Sequence, residues 1–281
     1  MSGIIEVRSL RKVYRIGTEK VVALVGVDLA IDDGEICCIL GTSGSGKSTM
    51  LNLMAGLEKP TKGQVLIKGT DITKLNEKKL ALFRQKNIGF VFQSYNLLGA
   101  LTALENVSMP LMFKGMGAKK RNKLAGQMLE QVGLGERMKH KPGQMSGGQQ
   151  QRAGIARAFV ARPAIVFADE PTGNLDTKTT DEVMRLMVRM AREYHQTLVI
   201  VTHDPEISTY ADKVVHIIDG QITSVERREN PRGSEDPDDP AIVAEKAKLA
   251  AAEAALQAQN SQTGEDGERA TAQAATVEQK G

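Results

Sequence analysis

The sequence predicts an α/β fold with a largely parallel sheet, an antiparallel β margin and an inserted α-helical subdomain. Short apolar segments alternate with helical segments along most of the chain, which is the pattern of strands joined by crossover helices. A glycine-rich loop separates one such strand from one such helix near residue 45. A methionine-rich helical stretch from about residue 96 to 143 interrupts the alternation.

The chain begins with strand patterns. Residues 4–8 and 21–31 are predicted strands, with a turn at Gly17 between them. A short apolar strand at 35–40 leads into the glycine-rich loop, and residues 48–55 after it have the composition of a helix start.

The later elements continue this alternation. We predict strands at 64–67, 88–92, 164–168 and 198–201, helices at 75–85, 149–161 and 179–194, and a hairpin of 214–218 with 221–225 across Asp219-Gly220. The helical subdomain is expected to span about residues 96–160. Its methionines are expected to be mostly core filler, because methionine fills irregular gaps.

The glycine-rich loop has the pattern of a phosphate-binding P-loop, G-x-x-x-x-G-K-[ST]. It consists of Gly41, Thr42, Ser43, Gly44, Ser45, Gly46, Lys47, Ser48 and Thr49. Glycines let the backbone turn its N–H groups toward phosphate oxygens, and the following helix adds its positive dipole end. Lys47 is expected to reach the β- and γ-phosphates, and the Ser48 hydroxyl to hold Mg²⁺. The chain is therefore predicted to be a P-loop NTPase.

Two acidic residues end the apolar strand near residue 168. Asp169 is placed to orient Mg²⁺ and its waters, and Glu170 can take a proton from the attacking water. The segment Ser146, Gly147, Gly148 and Gln149 opens a predicted helix, so its N–H groups and hydroxyl form a second anion site. Taken alone, each feature is also compatible with an ordinary strand end or helix cap.

Two further polar residues follow strands. Gln93 comes directly after 88–92, and its neutral amide could contact both Mg²⁺ and water. His203 follows 198–201, within reach of a γ-phosphate at the same sheet edge. Taken singly, Gln93 is more often a surface amide and His203 a loop histidine.

Charge is unevenly distributed along the 281 residues, whose net charge is +3. Residues 230–281 contain ten acidic and five basic residues, a net −5, which leaves +8 for residues 1–229. A mildly basic body suits a polyphosphate or an anionic membrane surface, but it is too weak to indicate nucleic acid as a partner. The chain also has no tryptophan to stack on bases.

Cysteine usage and hydropathy indicate the compartment. Cys37 and Cys38 are adjacent on a predicted strand and point to opposite faces, so we expect core thiols in a reducing compartment. No apolar stretch approaches the roughly 18 residues needed to span a bilayer. A cytoplasmic location is therefore expected.

Composition changes after Glu229. Residues 230–240 are acidic and proline-rich, 241–260 are alanine-rich, and 261–281 are polar. Because this segment could bury little apolar area against its ordering entropy, we predict a domain at 1–229 and a mostly disordered tail at 230–281.

Together these segments resemble the ATP-binding cassette (ABC) ATPases over about residues 3–228. The family's motifs occur in the family's order: Walker A at 41–49, Q-loop at Gln93, signature at 145–149, Walker B at 165–170, D-loop near 174–176 and switch histidine at His203. Met145 stands where the family usually has leucine, an exchange of one apolar residue for another. Tyr14 falls where the family has an adenine-stacking aromatic, although one tyrosine in a strand is as often only packing.

The resemblance implies an ATPase that works as a head-to-tail homodimer, with ATP and Mg²⁺ between the P-loop of one copy and the signature of the other. Catalysis is then assigned to Lys47, Gln93, Glu170 and His203. Nucleotide binding is assigned to residues 41–49, Tyr14 and Ser146–Gln149, and the metal to Ser48, Gln93 and Asp169.

Three segments narrow the resemblance to a subfamily. Residues 90–98, 101–107 and 170–176 resemble the bacterial ATPases of lipoprotein release, macrolide and peptide export and cell division. This implies a partner, an integral-membrane permease with a large extracytoplasmic domain, and a peripheral location on the inner face of the cell membrane. The surface from Tyr95 to Leu101 and the methionine-rich helices would then receive the permease.

An ABC ATPase that regulates a membrane or cell-division complex without transporting a substrate is the alternative. An ABC ATPase of DNA or ribosomes is expected to have a coiled-coil insertion or two cassettes, and this chain contains neither pattern. A catalytically silent cassette is disfavoured because Lys47, Asp169, Glu170 and His203 are all present.

Overall fold

The computed structural model describes residues 3–229 and 231–233. The strands of this part of the chain are β1 (Ile5–Ile16), β2 (Glu19–Ile31), β3 (Ile36–Leu40), β4 (Lys62–Ile67), β5 (Thr70–Asp71), β6 (Ile88–Phe92), β7 (Ile165–Asp169), β8 (Thr197–Thr202), β9 (Lys213–Ile218) and β10 (Gln221–Arg227). The helices are α1 (Lys47–Met54), α2 (Glu77–Asn87), α3 (Ala103–Phe113), α4 (Ala118–Gln131), α5 (Gly147–Phe159), α6 (Thr177–Glu193) and α7 (Pro205–Ser208).

The strands form two sheets. The central sheet has the order β10-β9-β3-β8-β7-β6, in which every neighbouring pair is parallel except β10 with β9. The second sheet has the order β2-β1-β4-β5 and is antiparallel. The predicted α/β fold with a largely parallel sheet is therefore confirmed. Most of the predicted antiparallel margin is a separate sheet, whose strand β2 is largely exposed along one face.

The apolar core lies on both faces of the central sheet. Strand β8 is buried along its whole length, and β3 and β7 are buried except at their last residue. Cys37 and Cys38 belong to different core clusters, as the predicted alternation of faces requires. Burial raises the pKa of the Cys38 thiol to about 12, so this thiol stays protonated.

Helix starts differ from the sequence prediction by about two residues, because capping side chains determine them. Asn76 caps α2, Ser146 caps α5 and Asp176 caps α6, each accepting a hydrogen bond from a backbone N–H of the first turn. The segment predicted as helical from residue 96 begins its first helix only at Ala103, where Thr102 forms a capping box with Glu105.

Helices α3, α4 and α5 form the helical part of the molecule. Met128 and Met145 are buried there, as expected for core-filling methionines, whereas Met112 is exposed. The neighbouring Phe113 is exposed by 62%, which leaves an apolar surface at the end of α3.

The packed domain continues past the predicted boundary at residue 229. The backbone N–H of Arg232 donates to Thr209 O at 2.8 Å, and its guanidinium pairs with Asp181 at 2.9 Å. The same guanidinium lies 5.2 Å from the ring centroid of Tyr210. The rest of the tail predicted at 230–281 lies outside the described residues.

Within the described ranges, no helix combines the length and the apolar content needed to cross a bilayer.

A buried ion pair joins the two sheets. The Lys213 ammonium, at the start of β9, donates to Glu35 at 2.6 Å and to Ala30 O of β2 at 2.9 Å. Both charged side chains are almost fully buried, with exposures of 4% and 6%. Removing one partner therefore leaves a buried charge that has lost its main counterion.

We expect Lys213→Ala to lower the free energy of unfolding in urea by about 3 kcal/mol, because the mostly exposed Arg227, 3.6 Å from Glu35, can replace the lost ammonium only in part. The control is Lys59→Ala, which breaks the exposed Lys59–Glu77 pair of 3.7 Å and should cost less than about 1 kcal/mol. Equal losses in the two variants would contradict the structural role of the buried pair.

Candidate functional site

The P-loop lies between β3 and α1, and its backbone requires glycine. Gly44 and Gly46 have φ values of 80° and 100°, in the region that disfavours other residues. A Cβ at Gly46 would also lie 2.5 Å from Ala23 O. The buried Lys47 donates from Nζ to Thr42 O at 2.7 Å, which holds the ammonium over the loop. An ammonium has three N–H donors, so it can also reach phosphate oxygens.

One cleft brings the P-loop together with three other predicted residues. Its lining includes Thr42 to Thr49 except Ser45, together with Gln93, Glu170 and His203. The apolar segment 21–23 forms another part of its wall. The cleft volume of about 690 Å³ lies in the range of small-molecule sites. The cleft therefore offers backbone donors for phosphates and an apolar surface beside them.

The donors predicted to hold a metal fit a hard divalent cation. The Ser48 hydroxyl donates to Asp169 Oδ1 at 3.2 Å, so two of the three predicted oxygen ligands are adjacent. Burial raises the pKa of Asp169 and the Glu170 charge adds to this, whereas the hydrogen bond from Ser48 opposes it. Hydroxyl, carboxylate and amide oxygens are the ligand types that Mg²⁺ takes in proteins.

Gln93 packs against the turn that follows Glu170. A Cβ on Gly173 would lie 2.8 Å from Gln93 Nε2, so a larger residue there would displace the end of the Gln93 side chain. The Asn174 side-chain amide donates to Gln93 O at 3.1 Å. The Q-loop and the D-loop are therefore held together within one chain.

The Glu170 carboxylate is held by two neighbours. His203 Nδ1 lies 3.0 Å from both carboxylate oxygens, and the Thr202 hydroxyl donates to Oε2 at 3.3 Å. The Glu170 backbone has a φ of 44°, a strained value that its N–H bond to Val201 O at 2.9 Å helps to maintain. Such strain in a polar cleft is typical of a functional carboxylate. Sequence reasoning missed Thr202, although its place at the last position of β8 was a usable signal.

The second predicted anion site is the start of α5. Ser146 and Gln149 form a capping box, with N–H to side-chain distances of 3.3 and 3.0 Å. A Cβ at Gly147 would lie 2.9 Å from the Tyr95 hydroxyl, and one at Gly148 would lie 2.9 Å from Thr179 Cγ2. A side chain at Gly147 would therefore displace Tyr95, and one at Gly148 would displace Thr179.

The structure does not bring this second site to the P-loop. Ser146, Gly147, Gly148 and Gln149 line a different cleft, together with Asn174, Asp176 and Thr179. Among the described residues, none lines both clefts. The two predicted phosphate sites of one chain are therefore separate.

Tyr14 does not itself line the P-loop cleft, but its neighbour across the hairpin does. It pairs with Val21 across the β1–β2 hairpin, and Val21 lines the cleft. Its hydroxyl donates to Glu58 at 2.7 Å. No sequence pattern indicates that Glu58 contacts Tyr14, because 44 residues separate the two.

Comparison with known proteins gives a family match. A family model described as ABC transporter matches residues 24–173, just over half of the chain. The lipoprotein-releasing system ATP-binding protein LolD of Geobacter metallireducens is 46% identical over 224 residues, which is 80% of this chain and 100% of LolD.

A second relative is longer than this chain. The macrolide export ATP-binding/permease protein MacB of Syntrophobacter fumaroxidans is 44% identical over 221 residues, which is 78% of this chain but 31% of MacB. The chain thus spans about a third of that relative.

A solved structure has the same fold. The ATP-binding cassette MJ0796 of Methanocaldococcus jannaschii, described as a post-hydrolysis dimer bound to ADP and Pi, superposes with a TM-score of 0.76 at 41% identity. The match covers 80% of this chain and 99% of that one. The resemblance inferred from the motifs is confirmed, including its subfamily.

We expect His203→Ala to lower the ATP turnover rate by about 10²- to 10⁴-fold, because the Glu170 carboxylate loses the imidazole that orients it. ATP affinity, measured by equilibrium binding, should change by less than about threefold, since other donors hold the phosphates. His195→Ala is the control, because His195 follows α6 and does not line the P-loop cleft. An equal loss of affinity and turnover in His203→Ala would contradict this role.

Proposed function

This chain belongs to the ABC transporter family, as an ATP-binding and ATP-hydrolysing subunit, and we propose that two copies form a head-to-tail dimer that drives a membrane permease. One observation carries the proposal. The P-loop and the Ser146–Gln149 segment line separate clefts of one chain. A two-fold pair lets each segment meet the phosphates held by the other copy, which completes two identical sites.

Each site binds one ATP in this proposal. The backbone N–H groups of the P-loop and the Lys47 ammonium hold the β- and γ-phosphates, with the α1 N-terminus beneath them. The base lies at the apolar edge of the cleft, near Val21 and Tyr14. The N–H groups at the start of the partner copy's α5 then face the γ-phosphate from the other side.

Hydrolysis uses the carboxylate at the end of β7. A water oxygen attacks the γ-phosphorus, the bond to the β–γ bridging oxygen breaks, and Glu170 accepts the water's proton. His203 and Thr202 hold that carboxylate in place. Oxygen atoms of Ser48, Gln93 and Asp169 would hold Mg²⁺, which neutralises charge on the β- and γ-phosphates when bound.

In this proposal, helices α3 to α5 transmit the movement of dimer closure to the permease. Arg157 of α5 donates to Tyr95 O at 2.9 Å and to Asn96 O at 2.5 Å. These hydrogen bonds connect the Q-loop segment to α5, the helix that begins with the signature segment. Leu98 shortly after the Q-loop and Phe113 at the end of α3 are exposed by 51% and 62% and supply apolar surface on this part of the chain. This surface suits a permease segment at the inner face of the cell membrane.

The names of the relatives are consistent with such a partner. MacB is named an ATP-binding/permease protein, and LolD is named the ATP-binding protein of a lipoprotein-releasing system. We propose that the permease of this chain is a separate protein with a large extracytoplasmic domain. The handled substrate meets that permease and not the ATPase.

We expect Glu170→Gln to lower ATP turnover by at least about 100-fold, because the amide accepts no proton. With ATP and Mg²⁺ this variant should form dimers in light scattering, since the closed state is no longer released by hydrolysis. Without nucleotide it should remain monomeric.

The matched control is Glu193→Gln at the exposed end of α6, which should keep wild-type turnover. Adding Ser146→Arg to Glu170→Gln should abolish the ATP-dependent dimer while the P-loop still binds ATP. A dimer that persists in this double variant would contradict the shared site.

A further inference from the structure

Four side chains form a polar cluster around Tyr14, which we call the Tyr14 cluster: Lys12, Tyr14, Asn52 and Glu58. The Tyr14 hydroxyl donates to Glu58 Oε2 at 2.7 Å, and the Asn52 amide donates to Oε1 at 3.3 Å. The Lys12 ammonium lies 3.0 Å from Glu58 Oε2 and 4.8 Å from the centroid of the Tyr14 ring. The Glu58 carboxylate thus contacts all three other members.

The cluster connects the aromatic ring to the phosphate site. Asn52 lies on α1, the helix that the P-loop opens, and Glu58 follows four residues after that helix ends. The Tyr14 hydroxyl also interacts with Thr49, the last P-loop residue. A strand that carries the ring is therefore tied to the helix that faces the phosphates.

The charges in the cluster favour this arrangement. Burial raises the pKa of the Tyr14 hydroxyl and Glu58 raises it further, against the lowering effect of a hydrogen bond with Thr49, so tyrosine stays a donor. Burial also opposes the charge on Glu58, but hydrogen bonds from Tyr14 and Lys12 outweigh it and lower the Glu58 pKa. A hydrogen bond from a hydroxyl to a charged carboxylate is shorter and stronger than a neutral one.

We infer that Glu58 is a positioning residue for nucleotide recognition, which fixes the Tyr14 ring as the surface on which the base of ATP stacks. This inference rests on the proposed nucleotide site. A ring held before binding loses less conformational freedom when the base arrives, and this raises affinity. A phenylalanine could supply the aromatic face, but only tyrosine can be anchored to Glu58.

The experiment uses the full chain and two ligands, ATP and inorganic tripolyphosphate, which has no base. Their dissociation constants are measured by competition against a fluorescent ATP analogue. Tyr14→Phe and Glu58→Ala should each weaken ATP binding about three- to tenfold, the range of one hydrogen bond. Tripolyphosphate binding should not change. In turnover assays the effect should fall on KM and not on kcat.

Two further variants test whether the residues act together. The double variant Tyr14→Phe/Glu58→Ala should bind ATP no more weakly than either single variant, because both single substitutions remove the same hydrogen bond. Glu58→Gln keeps an oxygen acceptor and should recover part of the affinity. Glu77→Ala breaks only the exposed 3.7 Å pair with Lys59 and should match the wild type.

Three outcomes would contradict the role of Glu58 or of Tyr14, and each has a different meaning. Wild-type ATP affinity in Glu58→Ala, with a loss in Tyr14→Ala, would overturn the positioning role and leave the proposed site intact. Wild-type affinity in Tyr14→Ala would overturn the base-stacking assignment itself. Equal weakening of ATP and tripolyphosphate by Glu58→Ala would mean that Glu58 acts on the phosphate site through α1, which also overturns the inference.

Discussion

The parallel register of the central sheet is the constraint on which the nucleotide site depends. Leu40 of β3 pairs with Thr202 of β8, and Phe92 of β6 pairs with Asp169 of β7. All four strands therefore end at one edge. The P-loop, Gln93, Glu170 and His203 each follow one of these ends, so residues as far apart as Thr42 and His203 line a single cleft. A shift of one strand by one residue would turn its last side chain to the other face.

A second constraint is the set of contacts that joins the Q-loop segment to the start of α5 within one chain. Tyr95 and Asn96 have φ values of 59° and 48°, and Arg157 donates hydrogen bonds to both of their carbonyl oxygens. The Tyr95 hydroxyl also packs close to Gly147, at the start of α5. In the proposed dimer, the Q-loop contacts the nucleotide of its own chain and Gly147 faces the nucleotide of the partner copy. A movement at one phosphate site would then shift the segment that completes the other, which would give ATP binding a mechanical consequence.

The sequence was sufficient for the motifs and for the class of fold, because the P-loop, the acidic pair and His203 each follow an apolar strand directly. It was insufficient where contacts join distant positions. The contact of Glu58 with Tyr14 is such a case, because 44 residues separate the two and no local period links them. The separate antiparallel sheet was missed because strand patterns do not say which strands pair. The predicted starts of α2 and α6 differ from the observed ones by two residues, because the apolar pattern does not mark the capping residues Asn76 and Asp176.

The central claim is that one complete ATP site needs two copies of this chain, and intermolecular cross-linking tests it most directly. One population carries Glu170→Gln with Ser43→Cys, and a second, of different size, carries Glu170→Gln with Ser146→Cys. The native Cys37 and Cys38 are fully buried, so the introduced thiols react alone. We expect a short thiol cross-linker to give the mixed-size dimer only when ATP is present. A third protein carries both Ser43→Cys and Ser146→Cys in one chain and reports linkage within a single chain. Efficient linkage within that chain, with no mixed-size dimer from the two separate populations, would contradict the account.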